Sequence, residues 1–343
     1  MSAERVVAPP RDGGTRFAHR LWVAREFGIV AALALLFLVT VLDNPAFASP
    51  QSLRDLLLGA AILVVLAVGQ TVVVVSRNID LSVGAVLGLS AFATGTLLSS
   101  APGTPTALVV LVGLGLGALC GAVNGVLVAA ARVPALVITL GTLHVFRGVD
   151  HRWAGGRQIN ASDMPRDFLR LGTSTVLGVP VLAIVAMVVV VVVGYCLRSY
   201  RGGRELYAIG SEPAAARLAG IPVGRRVFTA FVVCGALAGL AGVLYAARFG
   251  TLDATAGTGI ELQVVAAAVV GGVAIFGGSG SVYGAALGAL LLTTIGSSLA
   301  VLRIDPFWQQ AVVGALILAA IGIDRLLALR TADRLRGRSS HGA

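Results

Sequence analysis

The chain of 343 residues contains no lysine, so all 26 of its basic residues are arginine. A P-loop needs lysine to reach the nucleotide phosphates. This chain therefore carries no such motif, and any ATP that drives it is bound by another subunit. Charge is scarce too, at 12% of residues beside 57% hydrophobic, where a soluble domain carries about 25% charged residues. So few charges cannot cover a water-facing surface of this size. That excludes an ordinary cytosolic enzyme, a secreted disulfide scaffold and a disordered chain. Cysteine is limited to Cys120, Cys196 and Cys234, an odd, scattered set in or beside apolar runs that reads as packing thiols. His19, His144, His151 and His341 form no HExxH pair, and neither a metal nor a cofactor is expected. His144, inside an apolar run, reads as a packed, hydrogen-bonded residue, with pathway lining as the alternative.

What the chain has in abundance is apolar length. A helix needs about 20 apolar residues to cross a bilayer, with roughly 17 as the lower limit. Ten runs qualify or come close: 27–42, 54–76, 80–100, 106–131, 134–149, 176–197, 227–247, 261–276, 280–301 and 308–328. The first, fifth and eighth are short, which leaves their ends open and fits a broken or re-entrant course for some of them. A barrel is excluded by runs such as VLAIVAMVVVVVV (181–193), which never alternate. The fold class is therefore an all-α polytopic membrane protein with about ten transmembrane helices.

Arginine placement orients it. With the N-terminus inside, 18 of the 26 arginines fall on the cytoplasmic side, and both termini are cytoplasmic. The division that follows is a tail at 1–26, a membrane domain at 27–329 and a tail at 330–343. A cytoplasmic segment spans 198–226 and an extracytoplasmic loop spans 150–175. This distribution, rather than nucleic-acid binding, accounts for the net charge of +10. Ala46-Phe47-Ala48 resembles a signal cleavage site, but the many spans that follow favour retention of the first one.

Glycine is placed with regular spacing. Gly113, Gly117, Gly121 and Gly125 recur every four residues, as do Gly280, Gly284 and Gly288, which puts each set on one helix face for close packing. GVLVAAAR (125–132) and GVLYAAR (242–248) echo one another, which both an inverted repeat and chance in an alanine-rich chain explain. Gly277-Gly278-Ser279-Gly280 resembles an intramembrane serine protease motif, but such a serine needs a later histidine base, and only His341 in the polar tail follows.

Segment 198–226 reads RSYRGGRELYAIGSEPAAARLAGIPVGRR. Ser211 as cap, Pro213 in the first turn and Gly220 as the stop define a short helix standing on the membrane surface. Exposed Leu218 and Ile221 suit a helix that docks into a partner's groove.

Several ordered motifs then give a resemblance over about 54–329. They are NIDLSVGAVLGLS (78–90), GAVNGVLVAAARVPALVITLGTL (121–143), GRELYAIGSEPAAARLAGI (203–221), ALAGLAGVLYAAR (236–248), TAGTGIELQVVAAAVVGG (255–272), FGGSGSVYGAALGALLL (276–292) and PFWQQAVVGALIL (306–318). The chain resembles the permease subunits of bacterial ATP-binding-cassette importers for monosaccharides, of the ribose, xylose, rhamnose and autoinducer-2 type. GGVAIFGGSGS (271–281) leans toward the rhamnose and autoinducer-2 members.

The resemblance implies a type II importer-like permease in the bacterial inner membrane and no catalytic residue. It also implies partners: cytoplasmic ATPases, a second permease copy or paralogue, and an extracytoplasmic sugar-binding protein. It makes 203–221 the coupling region, with Arg204, Glu205, Ala215, Arg217, Leu218, Ala219 and Gly220 as contacts. At 76–78 the chain reads SRN where the family is commonly small and glycine-rich, so Arg77 is a departure.

Gln70, Thr71, Asn124, Thr139 and Thr142, polar groups inside spans, are candidates for the translocation path, with hydrogen bonds to neighbouring helices as the alternative. Asn78, Asp80 and Ser82 read as caps of the third helix. Asp253 and Glu261, near the outer side, face either the binding protein or water. An ion-coupled transporter would need a membrane-embedded carboxylate, and Asp80 and Glu261 both fall at span edges.

Overall fold

The computed structural model describes residues 13–131, 133–305, 307–319 and 322. The tail at 330–343, Arg132, His341 and the far part of the last run lie outside the described residues. Helices follow one another as α1 (Gly13–Asp43), α2 (Pro50–Val74), α3 (Val83–Ser100), α4 (Thr106–Ala131), α5 (Ala135–Ala154) and α6 (Arg166–Arg170). Then come strands β1 (Thr175–Val176) and β2 (Val179–Pro180), and helices α7 (Val181–Ser199), α8 (Arg201–Ser211), α9 (Pro213–Leu218), α10 (Val223–Phe249), α11 (Ile260–Val270) and α12 (Val282–Val301). A last helix, α13, covers Trp308–Ala319.

Among the described residues, six helices (α2, α3, α4, α7, α10 and α12) are long and apolar enough to cross a membrane. Three shorter apolar helices, Phe27–Asp43, Ile260–Val270 and Trp308–Ala319, accompany them. Helix α5 has the length, but its second half carries Arg147, Asp150 and Arg152.

Helix α10 is the centre, packed against α4, α3 and α2. It occupies that position because its middle reads CGALAGLAG, a face with little side chain, buried throughout Leu237–Leu244. Helix α4 meets it antiparallel through glycine. A Cβ on Gly117 would collide with the carbonyl oxygen of Gly235, one on Gly121 with that of Phe231, and one on Gly125 would come within 3.0 Å of Phe228 O. Gly113 faces Val243 and Gly239, and Gly235 and Gly239 return the contact to Gly117 and Gly113. With no side chains between them the backbones touch, and dispersion over that length replaces the hydrophobic effect that lipid does not supply. The echoing segments, over 125–131 and 242–248, thus belong to two antiparallel helices in direct contact.

Gly284 and Gly288 do the same on α12, against Gly271 and Ala267. Gly280 differs from its helical reading, because it precedes α12 in an extended turn at φ +143°. The Ser281 hydroxyl, accepting from Gly284 N–H at 3.0 Å, starts the helix one residue later.

Other boundaries moved for local reasons. Helix α5 runs on to Ala154, since Gly155 at φ +55° is its first left-handed stop. Helix α7 starts at Val181, because Leu177 and Gly178 at φ +50° and +83° form a tight hairpin turn between β1 and β2. The eighth run breaks at Gly271, leaving α11 with 11 residues and a folded loop to Ser281.

Two buried-residue readings are corrected. Cys120 and Cys234 are buried, but Cys196 is exposed, in an open groove where α7 meets α8. His144 is likewise exposed on the uncovered side of α5.

Candidate functional site

The turn at 75–82, the segment α8–α9 and the loop at 271–281 meet at one end of the bundle. Gly278 N–H donates to Val75 O at 3.0 Å, Arg77 Nε to Phe276 O at 2.9 Å and the Tyr207 hydroxyl to Gly280 O at 3.0 Å. Gly210 makes the contact possible, since any Cβ there would strike Val75 O and Gly278 N. Arg77 sits at φ +69°, a left-handed conformation costing a side chain about 1–2 kcal/mol. Its bond to Phe276 O offsets part of that cost, and the φ explains why glycine suits this turn.

Glu205 is the anchor of α8. Its carboxylate, 8% exposed, accepts from Arg201 Nε at 2.7 Å and from Arg226 Nε, tying α8 to the first turns of α10. Those two bonds, Arg201 first, hold Glu205 below its ordinary value of 4.5. A carboxylate depressed in the folded state adds stability above its unfolded pKa and loses it as pH falls through the folded value. Glu205→Gln is therefore expected to lower the unfolding temperature of the purified permease at pH 7. The gap to the parent should narrow once the pH drops below 4.5. Parallel melting curves of the two proteins across that range would show a constant gap if the clamp were unimportant.

Helix α9 then projects outward. Its N-cap is Glu212, whose carboxylate accepts from Ala214 N–H at 3.3 Å, and not Ser211, which closes α8 instead. At the other end Gly220 N–H donates to Arg217 O and Ile221 N–H to Ala216 O, with Gly220 at φ +76°, a Schellman stop. Ala216 is the buried contact of α9. Ala215, Arg217, Leu218, Ala219 and Gly220 are all exposed, Leu218 at 91%. Arg204, also exposed, donates to Ser199 O at 2.9 Å. An open cleft of about 480 Å³ lies beside this foot, lined by Arg77, Asn78, Pro134, Leu136, Pro213 and Arg217.

Behind the foot lies a buried polar joint. The carboxylate of Asp80, 1% exposed, accepts from Ser82 N–H at 2.8 Å and Ser82 Oγ at 2.7 Å. Asn124 Nδ2 on α4 donates to Ser82 Oγ at 2.8 Å. With its amide oriented to match donor with acceptor, Gln70 on α2 pairs with both backbone groups of Asp80, at 3.1 and 3.2 Å. Thr139 on α5 accepts from Leu81 N–H and donates to Ile79 O, each at 3.1 Å. Gln70, Asn124 and Thr139 thus come from three helices to hold one extended strip, 78–82. Thr71 and Thr142 instead bond to Ala67 O and Thr139 O in their own helices. Ser82 occupies the α3 cap position without a side-chain cap bond. Asn78 closes the preceding turn onto Ser76 O at 2.9 Å.

The opposite end carries a second set. The bridge between Ile159 and Leu252 joins the 155–180 loop to the 250–259 loop. Arg147 Nη1 donates to Ala254 O at 3.1 Å and Ala256 O at 2.6 Å. Asp150 lies in the last turns of α5, fully buried, and not in a solvated loop. Neither of its oxygens has a hydrogen-bond partner among the described residues. Both Arg147 and Asp150 sit over Gly88, 2.8 and 3.3 Å from where its Cβ would be. Glu261 packs one oxygen against Gly84, and Asp253 binds Thr255 N–H and Oγ1 at 2.7 and 2.6 Å. Asp80 is buried against Ser82 and Asn124 and Asp150 against Gly88, contacts across the bundle that run boundaries do not display. Among the described residues, no group of acidic, histidine and cysteine side chains is placed to hold a metal.

An apolar bundle sealed by glycine contacts, interrupted by a hydrogen-bonded break and bearing a foot at one end, is the build of a multi-pass membrane permease. The chain belongs to the family of branched-chain amino acid transport system permease components, whose model matches residues 52–321, and is an inner-membrane protein. Among individual proteins it is similar to the autoinducer 2 import system permease protein LsrC of Enterobacter sp. (strain 638), 38% identical over 300 residues, covering 88% of this chain and 86% of that one. The LsrC of Escherichia coli (strain K12 / DH10B) is 37% identical over 312 residues, 91% and 90% of the two chains. That of Klebsiella pneumoniae is 38% identical over 300 residues, 88% and 86%. No solved structure matches.

Proposed function

We propose that this chain is the permease subunit of an ATP-driven, binding-protein-dependent importer whose cargo is of the autoinducer-2 type, with small monosaccharides as the next class. The observation that carries this is 36–38% identity to autoinducer 2 import permeases across about nine-tenths of the chain. The family description names branched-chain amino acids, but the full-length similarity to individual importers is the narrower guide. In this reading the ten runs are ten spans with both termini cytoplasmic. Positive-inside placement puts the α8–α9 foot on the ATPase side.

Alternating access then has identifiable parts. The partner ATPases move α9, and Glu205 transmits the motion to α10 through Arg226. Tyr207 and Gly210 transmit it to the 271–281 loop and the 75–82 turn. Gln70, Asn124 and Thr139 hold the strip whose displacement opens the path on that side. Outside, Arg147 latches the 250–259 loop, and the loops at 155–180 and 250–259 receive the binding protein. Arg204, Ala215, Arg217, Leu218, Ala219 and Gly220 form the contact with the ATPase, and a second permease completes the passage.

The test is reconstitution of the permease with the ATPase and binding protein encoded beside it. Uptake of labelled autoinducer 2 that requires all three components is the expected result. Uptake of leucine but not of autoinducer 2 or a pentose would overturn the cargo. Uptake by the permease alone, driven by a proton or sodium gradient, would overturn the ATP coupling and point to Asp150 as the coupling carboxylate.

A further inference from the structure

A groove of about 360 Å³ runs along the bundle where α7 gives way to α8. Its walls are Val72 of α2, Val192 and Val193 of α7, Leu206 of α8, and Thr229 and Val233 of α10. The lining is apolar, and the Thr229 hydroxyl is already spent on Arg226 O at 2.8 Å. Gly202 and Gly203 floor one end, where Gly203 lies against the backbone of Leu197. Such a groove has no use for a polar occupant.

Its rim is cationic. Arg226 places Nη1 3.2 Å from where a Cβ on Gly202 would stand. Arg226 and Arg201 both give only their Nε to Glu205. Among the described residues no acceptor takes a hydrogen bond from their Nη atoms, and the Arg201 side chain is 82% exposed. Glu205 thus fixes two guanidinium groups by their inner edges and leaves the outer edges free, the fork geometry that suits phosphate. Tyr200 lines the groove and stacks edge to face on Tyr195, ring centroids 6.1 Å apart, in the manner of side chains at a membrane–water boundary.

We infer that this groove binds an anionic phospholipid, with an acyl chain against Val72, Val193 and Val233 and the headgroup phosphate on Arg201 and Arg226. The lipid would sit at the root of the foot and brace the Glu205 clamp. The inference needs the chain to sit in a membrane but is independent of its cargo, so its test uses neither ATPase nor binding protein.

The permease, purified in detergent, is offered an equal mixture of phosphatidylglycerol and phosphatidylcholine with identical acyl chains, and retained lipid is counted by native mass spectrometry. Two guanidinium contacts predict about tenfold preference for phosphatidylglycerol. Arg201→Gln should cut that preference severalfold. Val233→Trp and Val193→Trp, each filling the groove, should lower retention of the bound lipid, with elution as a single species as the check on folding. Equal retention of the two lipids would overturn the assignment. So would a preference untouched by Arg201→Gln, or glycerol phosphate competing as well as the intact lipid.

Discussion

Leu218→Glu is expected to reduce ATP-driven uptake by about 100-fold while the permease still inserts and purifies as a single species. The size follows from where the side chain sits. At 91% exposure Leu218 contributes almost nothing to its own fold, and α9 is held by Ala216, the Glu212 cap and the Gly220 stop. A carboxylate at this tip therefore leaves the foot standing. What it damages, if α9 docks on the ATPase as proposed, is a contact made only in the assembly, where a central apolar anchor contributes about 2–4 kcal/mol and a buried unpaired charge costs more than the lost anchor. The ATPase should keep its basal rate and lose the increment caused by loaded binding protein. Leu218→Met, which keeps an apolar tip, should keep both. An unaltered increment in the reconstituted Leu218→Glu complex would remove α9 from the coupling interface. Loss of insertion would instead place Leu218 in the fold of the permease.

The contrast between Leu218 and Glu205 shows how far the sequence could be read. Residues at 211–220 announce their helix through local chemistry, proline near the start and glycine at the stop, and such signals act over one or two turns. Helix α8 carries no such signal, although Leu206, Ile209 and Gly210 bury one face of it; its charged RGGRE start hides the short amphipathic pattern. That Glu205 anchors rather than touches a partner depends on Arg226, 21 residues further on, and no local rule links them. Asp80 and Asn124 are 44 residues apart, and only the packing of α4 behind the 75–82 turn brings them together. Apolar length, by contrast, is a property of the run itself. The runs at 106–131 and 280–301 match α4 and α12 to within two residues at each end. Where the run starting at 176 and the run ending at 276 overshoot their helices, left-handed residues in the backbone intervene.

Gly117→Ala is expected to lower the unfolding temperature of the permease by roughly 5 °C or more, and Gly117→Leu to prevent its accumulation. Adding one methyl group to a helix normally helps it, since alanine is about 1 kcal/mol better than glycine in a helix interior. At Gly117 that gain is outweighed, because the methyl meets backbone rather than a flexible side chain. The carbonyl oxygen of Gly235 stands in its place, and Gly239 N and Cα lie 2.7 and 2.8 Å away. Neither neighbour has a rotamer to change, so α4 and α10 must separate along the shared face that Gly113, Gly121, Gly235 and Gly239 also occupy. Because α10 also carries α3 and α2, the displacement reaches the centre of the bundle. Gly115, two residues earlier on the same helix, has nothing within 4 Å of its would-be Cβ. Gly115→Ala should therefore leave the melting temperature unchanged or raise it slightly. The pair isolates contact from helix propensity, since both substitutions add the same methyl group to α4. Equal melting temperatures for the two variants would mean that α4 and α10 do not touch through glycine in the membrane.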